Sequence, residues 1–522
     1  MSAALAIAAT TALLAACAQL TAWGAWLLWV ALLPWLAWLD RECRFGRVLA
    51  ASFAFTLVFT LAVFWWFGLG IAAYAAVPGW QGLLALAVLA PVLQPQIVGW
   101  SVARTLLVRR GARGAVLAIG SAASYVAVEW LVPKLFADTL GHGLIGSRAL
   151  RQAADLAGAP GLTLAIVFGN ECARAAWRAT SERGIASGVR AVAPLAAVLL
   201  ALSLYGSVRV AEVERRAQAS TPVRAALVQA DISRYGRLRA ELGTYDAVRS
   251  ILDTHFALST DALARGPLDL IVWPETVYPT TFGAPKSEAG AAFDREIAAF
   301  ALETATPLVF GSYDVDADGE FNAAIFLSGD PETGARVGFD AYRKASLFPL
   351  TERVPALFES EAVRRALPWL GSWRPGPGPT VIDVALHDGR PLRVGPLICY
   401  DAVSPRIARE SVRGGAEVLV TLSNDSWFAE GGGPALHLAV AAFRSIETRR
   451  PQLRATNTGI TAAIDATGEV LARAGVHERT ALVASVAPER EMQTLALQWG
   501  EWIGPVSLAL ALGAGVAGGR HG

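Results

Sequence analysis

Apolar positions run unbroken at the start of this chain and alternate later, and the change divides it in two. No charge occurs between Ser2 and Leu39. At about 1.5 Å rise per residue that is enough for two membrane crossings. Turn residues at Thr21–Gly24 predict helices near 3–20 and 23–39. Further apolar runs predict spans near 48–69, 80–103, 114–132, 160–175 and 191–208, and 495–517 is apolar enough for an eighth. Arginines cluster at Arg41, Arg44 and Arg47, at Arg104–Arg113, and at Arg174–Arg190, after the second, fourth and sixth spans. The positive-inside rule puts those links in the cytoplasm, and the segment after the seventh span outside.

From Val223 the period changes. Strand-like stretches lie at 223–228, 268–273, 308–311, 323–327, 337–342, 381–385, 392–398, 418–422 and 461–464. Helix-like ones lie near 239–264, 288–304, 405–414 and 434–449, and Gly329–Gly334 reads as a hairpin loop. Interleaved strands and helices predict an α/β domain of sheets covered by helices. The expected organisation is a seven-helix membrane domain over 1–210, an extracytoplasmic α/β domain over 221–492, and a C-terminal span over 495–517.

Composition agrees with that division. Of 522 residues 54% are hydrophobic and 17% charged, against about a quarter charged in a soluble domain. No basic stripe suggests nucleic acid as a partner. The four cysteines, Cys17, Cys43, Cys172 and Cys399, form no CxxC pair, and there is no HExxH, no P-loop and no GxSxG. Neither a metal nor an organic cofactor is expected. Leu14–Cys17 looks like a lipoprotein cleavage site, yet no basic segment precedes it, so Cys17 reads as a helix residue. Glu129 lies near the end of a span, where an intramembrane carboxylate is a functional candidate or a snorkelling side chain.

Three apolar strands end on reactive side chains: Leu270–Val272 before Glu275, Phe339–Tyr342 before Lys344, and Leu392–Ile398 before Cys399. Ser404 and Pro405 then cap a helix, so Cys399 sits on a strand-to-helix corner. A thiol near pKa 8.5 is mostly protonated at neutral pH and needs a base. A carboxylate can take its proton, and an ammonium with a backbone N–H can hold an oxyanion. Each residue alone also has a structural reading, and spacing does not bring the three together.

Trp273-Pro274-Glu275, Tyr342-Arg343-Lys344 with Pro349 and Glu352, and Ile398-Cys399-Tyr400 resemble the catalytic blocks of the nitrilase superfamily. Ser423–Phe428 and Arg454–Gly459 are similar as well. The resemblance implies a four-layer αββα fold with Glu275 as general base, Lys344 as oxyanion stabiliser and Cys399 as nucleophile. It implies a second carboxylate at Glu352, with Tyr400, Asp401, Asn424 and Trp427 supporting the site or its substrate. Asp401 stands where the family has Glu, Thr351 where it commonly has Gly, and Asp231–Tyr235 departs from its pattern.

The flanking spans make the chain similar to one membrane-embedded branch, the apolipoprotein N-acyltransferases. That resemblance implies a bacterial inner-membrane enzyme with its catalytic domain on the periplasmic side. Its partners would be a phospholipid acyl donor and a diacylated apolipoprotein acceptor, joined through a cysteine thioester. The alternatives are a membrane-tethered amidase, in which water resolves the thioester, and a transporter or scaffold with an inactive nitrilase-like domain.

Overall fold

The computed structural model describes residues 1–519 apart from 43, 133, 233–234, 318, 329–338, 350, 355–359, 367–370, 372 and 429–430. The predicted hairpin loop at Gly329–Gly334 lies outside the described residues. The chain forms two units. One comprises Met1–Glu212, Glu430–Glu447 and Thr494–Gly522; the other comprises Val213–Ala429 and Thr448–Gln493.

The first unit is helical. Among the described residues, four helices are long and apolar enough to cross a membrane: Phe45–Val63, Gly114–Leu131, Leu150–Arg183 and Ile185–Ala219. Gly79–Leu93 and Pro95–Arg109, bent by 42°, make a fifth if counted as one span. Pro95 has no N–H to donate into the preceding turn, which places the bend there. The stretch expected as one helix over 23–39 is two short ones, Ala22–Leu27 and Leu33–Leu39. Pro34 starts the second, and Asn170 enters the break, accepting from Leu32 N–H and donating to Leu28 C=O. The last apolar stretch is also divided, into Leu495–Trp499 and Ile503–Gly519, at Gly500 with φ +66°. Arg104, expected at a cytoplasmic rim, is buried. Its guanidinium donates to Glu171 at 2.6 and 3.0 Å and to Asp40 at 2.8 Å.

The second unit is built on two six-stranded sheets. The first contains β1 (Val223–Gln229), β2 (Leu270–Val272), β3 (Leu308–Asp316), β4 (Gly319–Leu327), β5 (Phe339–Arg343) and β12 (Thr480–Val486), in the order β12-β1-β2-β3-β4-β5. The second contains β6 (Ile382–Ala385), β7 (Pro391–Ile398), β8 (Val418–Ser423), β9 (Gln452–Thr456), β10 (Ala462–Ile464) and β11 (Val470–Arg473), in the order β11-β10-β9-β8-β7-β6. Each has a parallel centre, β1-β2-β3 and β7-β8-β9, with antiparallel edges. Parallel neighbours need crossovers. Helices Thr244–Leu263, Glu288–Glu303 and Pro405–Arg413 lie in three of the four connections.

Alternation sorts the side chains into layers. Ala225 and Leu227 of β1 join Val394 and Ile398 of β7 and Val418 and Val420 of β8 in the core between the sheets. Ala226 and Val228 face the other way, onto Ile251, Leu252 and Ile297 of the covering helices. On the second sheet, Gly395 lets helix Pro405–Arg413 come close: a Cβ there would stand about 3.1 Å from Ser411 and Leu419. The predicted α/β class and two-sheet architecture are therefore present. Strands β9, β11 and β12 were not anticipated. Helix 239–264 is interrupted at Gly243, whose φ is +85°.

Candidate active site

Parallel strands end on one side of a sheet, and the loops that follow them form ligand sites. Glu275 follows β2, Cys399 follows β7, Asn424 follows β8 and Asn457 follows β9. Lys344 follows β5, which runs antiparallel to β4, and its N–H donates to Asn322 C=O on β4 at 2.8 Å.

Lys344 is the hub. It is 2% exposed, and its Nζ donates to Glu352 Oε1 at 2.7 Å and to Glu275 Oε1 at 3.1 Å. Burial works against its charge, but the carboxylates of Glu275 and Glu352 outweigh that and hold the ammonium well above its ordinary pKa. Each carboxylate is fixed in turn. Glu275 Oε2 accepts from Asn424 N–H at 3.0 Å, and Glu352 Oε2 from Phe348 N–H at 2.7 Å. The Asn322 amide reaches both acids, at 2.8 Å to Glu275 and 3.3 Å to Glu352.

Glu275 reaches this position because its chain crosses β3 at a glycine. A Cβ on Gly311 would lie 2.4 Å from Thr276 N and 2.6 Å from Glu275 Cα. The crossing is tight: Thr276 has φ +58°, a conformation that β-branched residues rarely adopt.

Cys399 is partly accessible and is also held in the left-handed region, φ +46°. Such corners recur at functional sites, where the surrounding structure maintains them. Here Asp401 does so. Its side chain is fully buried and accepts from Ile398 N–H at 3.0 Å, Ser346 N–H at 2.7 Å and Tyr342 OH at 2.9 Å. Burial raises the Asp401 pKa to about 6, with Lys344 and these donors pulling the other way. The shorter acid thus ties the cysteine turn to the strand that carries Lys344. Burial, and next the negative charge of Glu275, push the Cys399 thiol well above its usual value, while Lys344 opposes them.

The remaining predicted residues line the site. Phe348 stands edge-on to Tyr400 at 5.0 Å and to Trp427 at 5.2 Å, and Trp427 packs on Phe428 at 4.3 Å. Beneath this wall Asp425 accepts from Ser423 Oγ at 2.7 Å and from the buried Arg454 at 3.1 Å. Asn457 accepts from Ile232 N–H and donates to Ile232 C=O, which fastens the loop after β1. Sequence reasoning passed over Asn322, Gly311 and Phe348. A lone polar residue inside the apolar run of β4 was the one signal for Asn322. Among the described residues, no group of three or more His, Cys, Asp and Glu side chains could hold a metal ion.

The two sheets and the side chains at their strand ends define a carbon–nitrogen hydrolase domain. The family model described as Carbon-nitrogen hydrolase matches residues 224–494, and that described as Apolipoprotein N-acyltransferase N-terminal domain matches 10–172. Curated relatives carry the name Apolipoprotein N-acyltransferase, three of them as follows. The protein of Geobacter metallireducens is 30% identical over 78% of this chain and 75% of its own length. That of Bdellovibrio bacteriovorus is 30% identical over 73% and 69%, and that of Caulobacter vibrioides 29% identical over 78% and 74%. The chain belongs to the apolipoprotein N-acyltransferase family, the membrane-embedded acyltransferases of the nitrilase superfamily.

Proposed function

We propose that this protein N-acylates lipoproteins at the bacterial inner membrane by a two-step transfer through Cys399. The supporting observation is the placement of the Lys344 ammonium between the carboxylates of Glu275 and Glu352, with its charge and that of Glu275 both acting on the Cys399 thiol. At rest burial, and next the negative charge of Glu275, disfavour an anion at the thiol. Passing its proton to Glu275 removes that repulsion and leaves the sulfur beside a cation. Charge separation therefore occurs only as the nucleophile is needed.

In the first step Glu275 takes the Cys399 proton and the sulfur attacks the ester carbonyl of a phospholipid. The oxyanion accepts hydrogen bonds from Lys344 and from a backbone N–H just past the cysteine. The C–O bond breaks, Glu275 returns the proton to the leaving oxygen, and a lysophospholipid departs from a Cys399 thioester. In the second step the α-amino group of an S-diacylglyceryl-cysteine attacks the thioester. Glu275 receives the amine proton and passes it to the departing sulfur. An amide has formed and the free thiol is restored. Phe348, Tyr400 and Trp427 present an apolar wall to the acyl chain. The catalytic unit, 221–492, lies on the periplasmic side, with membrane segments over 1–210 and 495–517.

The test is intact-protein mass spectrometry after incubation with phospholipid alone. The wild type should gain one fatty-acyl mass that hydroxylamine removes and a diacylated lipopeptide discharges. Cys399→Ala should gain none. A wild type left unmodified by every phospholipid offered rules out the thioester pathway.

A further inference from the structure

The first unit contains a second place where a lipid fits, built from residues that the acyl transfer does not use. It is a half-open cavity with about 100 Å³ of enclosed space, and about 730 Å³ when the space at its solvent-exposed mouth is included. Leu14, Leu28, Phe59, Val63 and Phe64 line its apolar part. Gln94, Gln96, Asp138, Thr139 and His142 line its polar part.

The polar end is incompletely satisfied. His142 is 2% exposed, and its Nδ1 accepts from Thr139 N–H at 3.1 Å. A nitrogen that accepts carries no proton, so the proton of the neutral ring is on Nε2. Nε2 has no hydrogen-bond partner among the described residues, and neither have Gln96 Oε1 or Asp138 Oδ1. Gln96, also 2% exposed, is oriented by its own donation to Gln94 Oε1 at 2.5 Å. The end therefore offers one donor and two acceptors, and burying such groups unpaired is costly. The neighbouring formal charges are Lys134 with Glu129 and Asp138, and Arg444 paired with Glu447, two cations against three carboxylates. An anionic head is disfavoured there. A neutral head that supplies a carbonyl oxygen and two hydroxyls satisfies all three groups, and a single acyl chain enters the apolar part.

We propose that this cavity binds a monoacyl glycerolipid, with the ester carbonyl accepting from His142 Nε2–H and the two glycerol hydroxyls donating to Gln96 and Asp138. The site goes beyond the acyl-transfer reading and does not depend on it: binding needs no thiol.

The full-length protein carrying Cys399→Ala, which cannot consume the probe by thioester formation, is delipidated in detergent. It is then titrated with 1-palmitoylglycerol and, in parallel, with palmitate, and occupancy is read by native mass spectrometry. One 1-palmitoylglycerol per chain is expected, with palmitate weaker by roughly tenfold or more. His142→Phe keeps a ring against Phe443, which packs 4.8 Å away, and removes the donor; it should weaken binding roughly fivefold to tenfold. Gly432→Leu projects into the cavity from a position where a Cβ meets only Trp66, at 3.6 Å, and should abolish the one-to-one complex. Equal binding of palmitate, or undiminished binding by a folded Gly432→Leu protein, overturns the proposal. If His142→Phe fails to fold, Gly432→Leu and the palmitate arm still decide it. Binding by Cys399→Ala together with no thioester on wild type would reject the acyl transfer and keep this site.

Discussion

In the proposed reaction three side chains carry the chemistry, but their neighbours set its terms. Glu275→Gln keeps a side chain that can accept from Asn424 N–H yet cannot take a proton. Thioester formation should fall by about 10²–10⁴, measured as the single-turnover rate of acyl-mass appearance. Asn322→Ala removes the amide that steadies both acids and should lower the same rate roughly tenfold, with little change in the phospholipid concentration required. Asp401 links pH to stability. Its folded pKa, about 6, lies above the ordinary 3.8, so folding takes up a proton between those values. Its contribution is largest below pH 4 and fades as pH rises through 6. Relative to Asp401→Asn, the wild type should therefore lose thermal stability as pH rises from 4 to 6.5, read as the difference between the two melting-temperature profiles. Parallel profiles would refute the assignment. Glu275, Lys344 and Cys399 could be picked out in the sequence because each ends an apolar strand. Asn322 could not, because its partners lie 47 and 30 residues away in the chain and only the assembled order β2-β3-β4-β5 brings them to it.

At the scale of elements, two positions set how the strand ends meet. Gly311→Ala would drive a methyl group into the Glu275 backbone. It should cost about 1–3 kcal/mol of stability and a larger share of activity, because the displaced segment is the one that carries the proposed base. Thermal unfolding and single-turnover rates together separate the two losses. The Arg454–Asp425 pair is wholly buried beneath the Asn424–Phe428 loop. Arg454→Met leaves a carboxylate without that partner and should cost about 3–5 kcal/mol. Strands rich in Val, Ile and Leu were readable, and β7 and β8 fall within one residue of their expected bounds. Strand β12, Thr-Ala-Leu-Val-Ala-Ser-Val, and β9, with a buried arginine at its centre, were not. Their strand character comes from pairing in the sheet, and β propensity is weakest where context decides. The broken helices follow the same logic. Hydropathy reports that 23–39 is apolar, but the interruption depends on Asn170, far along the chain.

For the molecule as a whole, charge is the feature that can be read from end to end. The clusters Arg41–Arg47 and Arg109–Arg113 lie next to apolar helices, and the positive-inside rule assigns such segments to the cytoplasm. Both substrates of the proposed reaction are anchored in lipid, so a catalytic unit on the opposite side from those arginines must be chemically reachable from outside the cell. Single cysteines test this in a chain whose Cys17, Cys43 and Cys172 are replaced by Ser and Cys399 by Ala. Leu242→Cys, at a position 48% exposed in the second unit, should react with a membrane-impermeant maleimide on intact spheroplasts. Arg41→Cys should react only after the membrane is permeabilised. The reverse pattern would put the thiol of Cys399 in the cytoplasm, away from lipoproteins already carried across the membrane. The acyltransferase would then lack its acceptor, whatever the geometry of Glu275, Lys344 and Cys399.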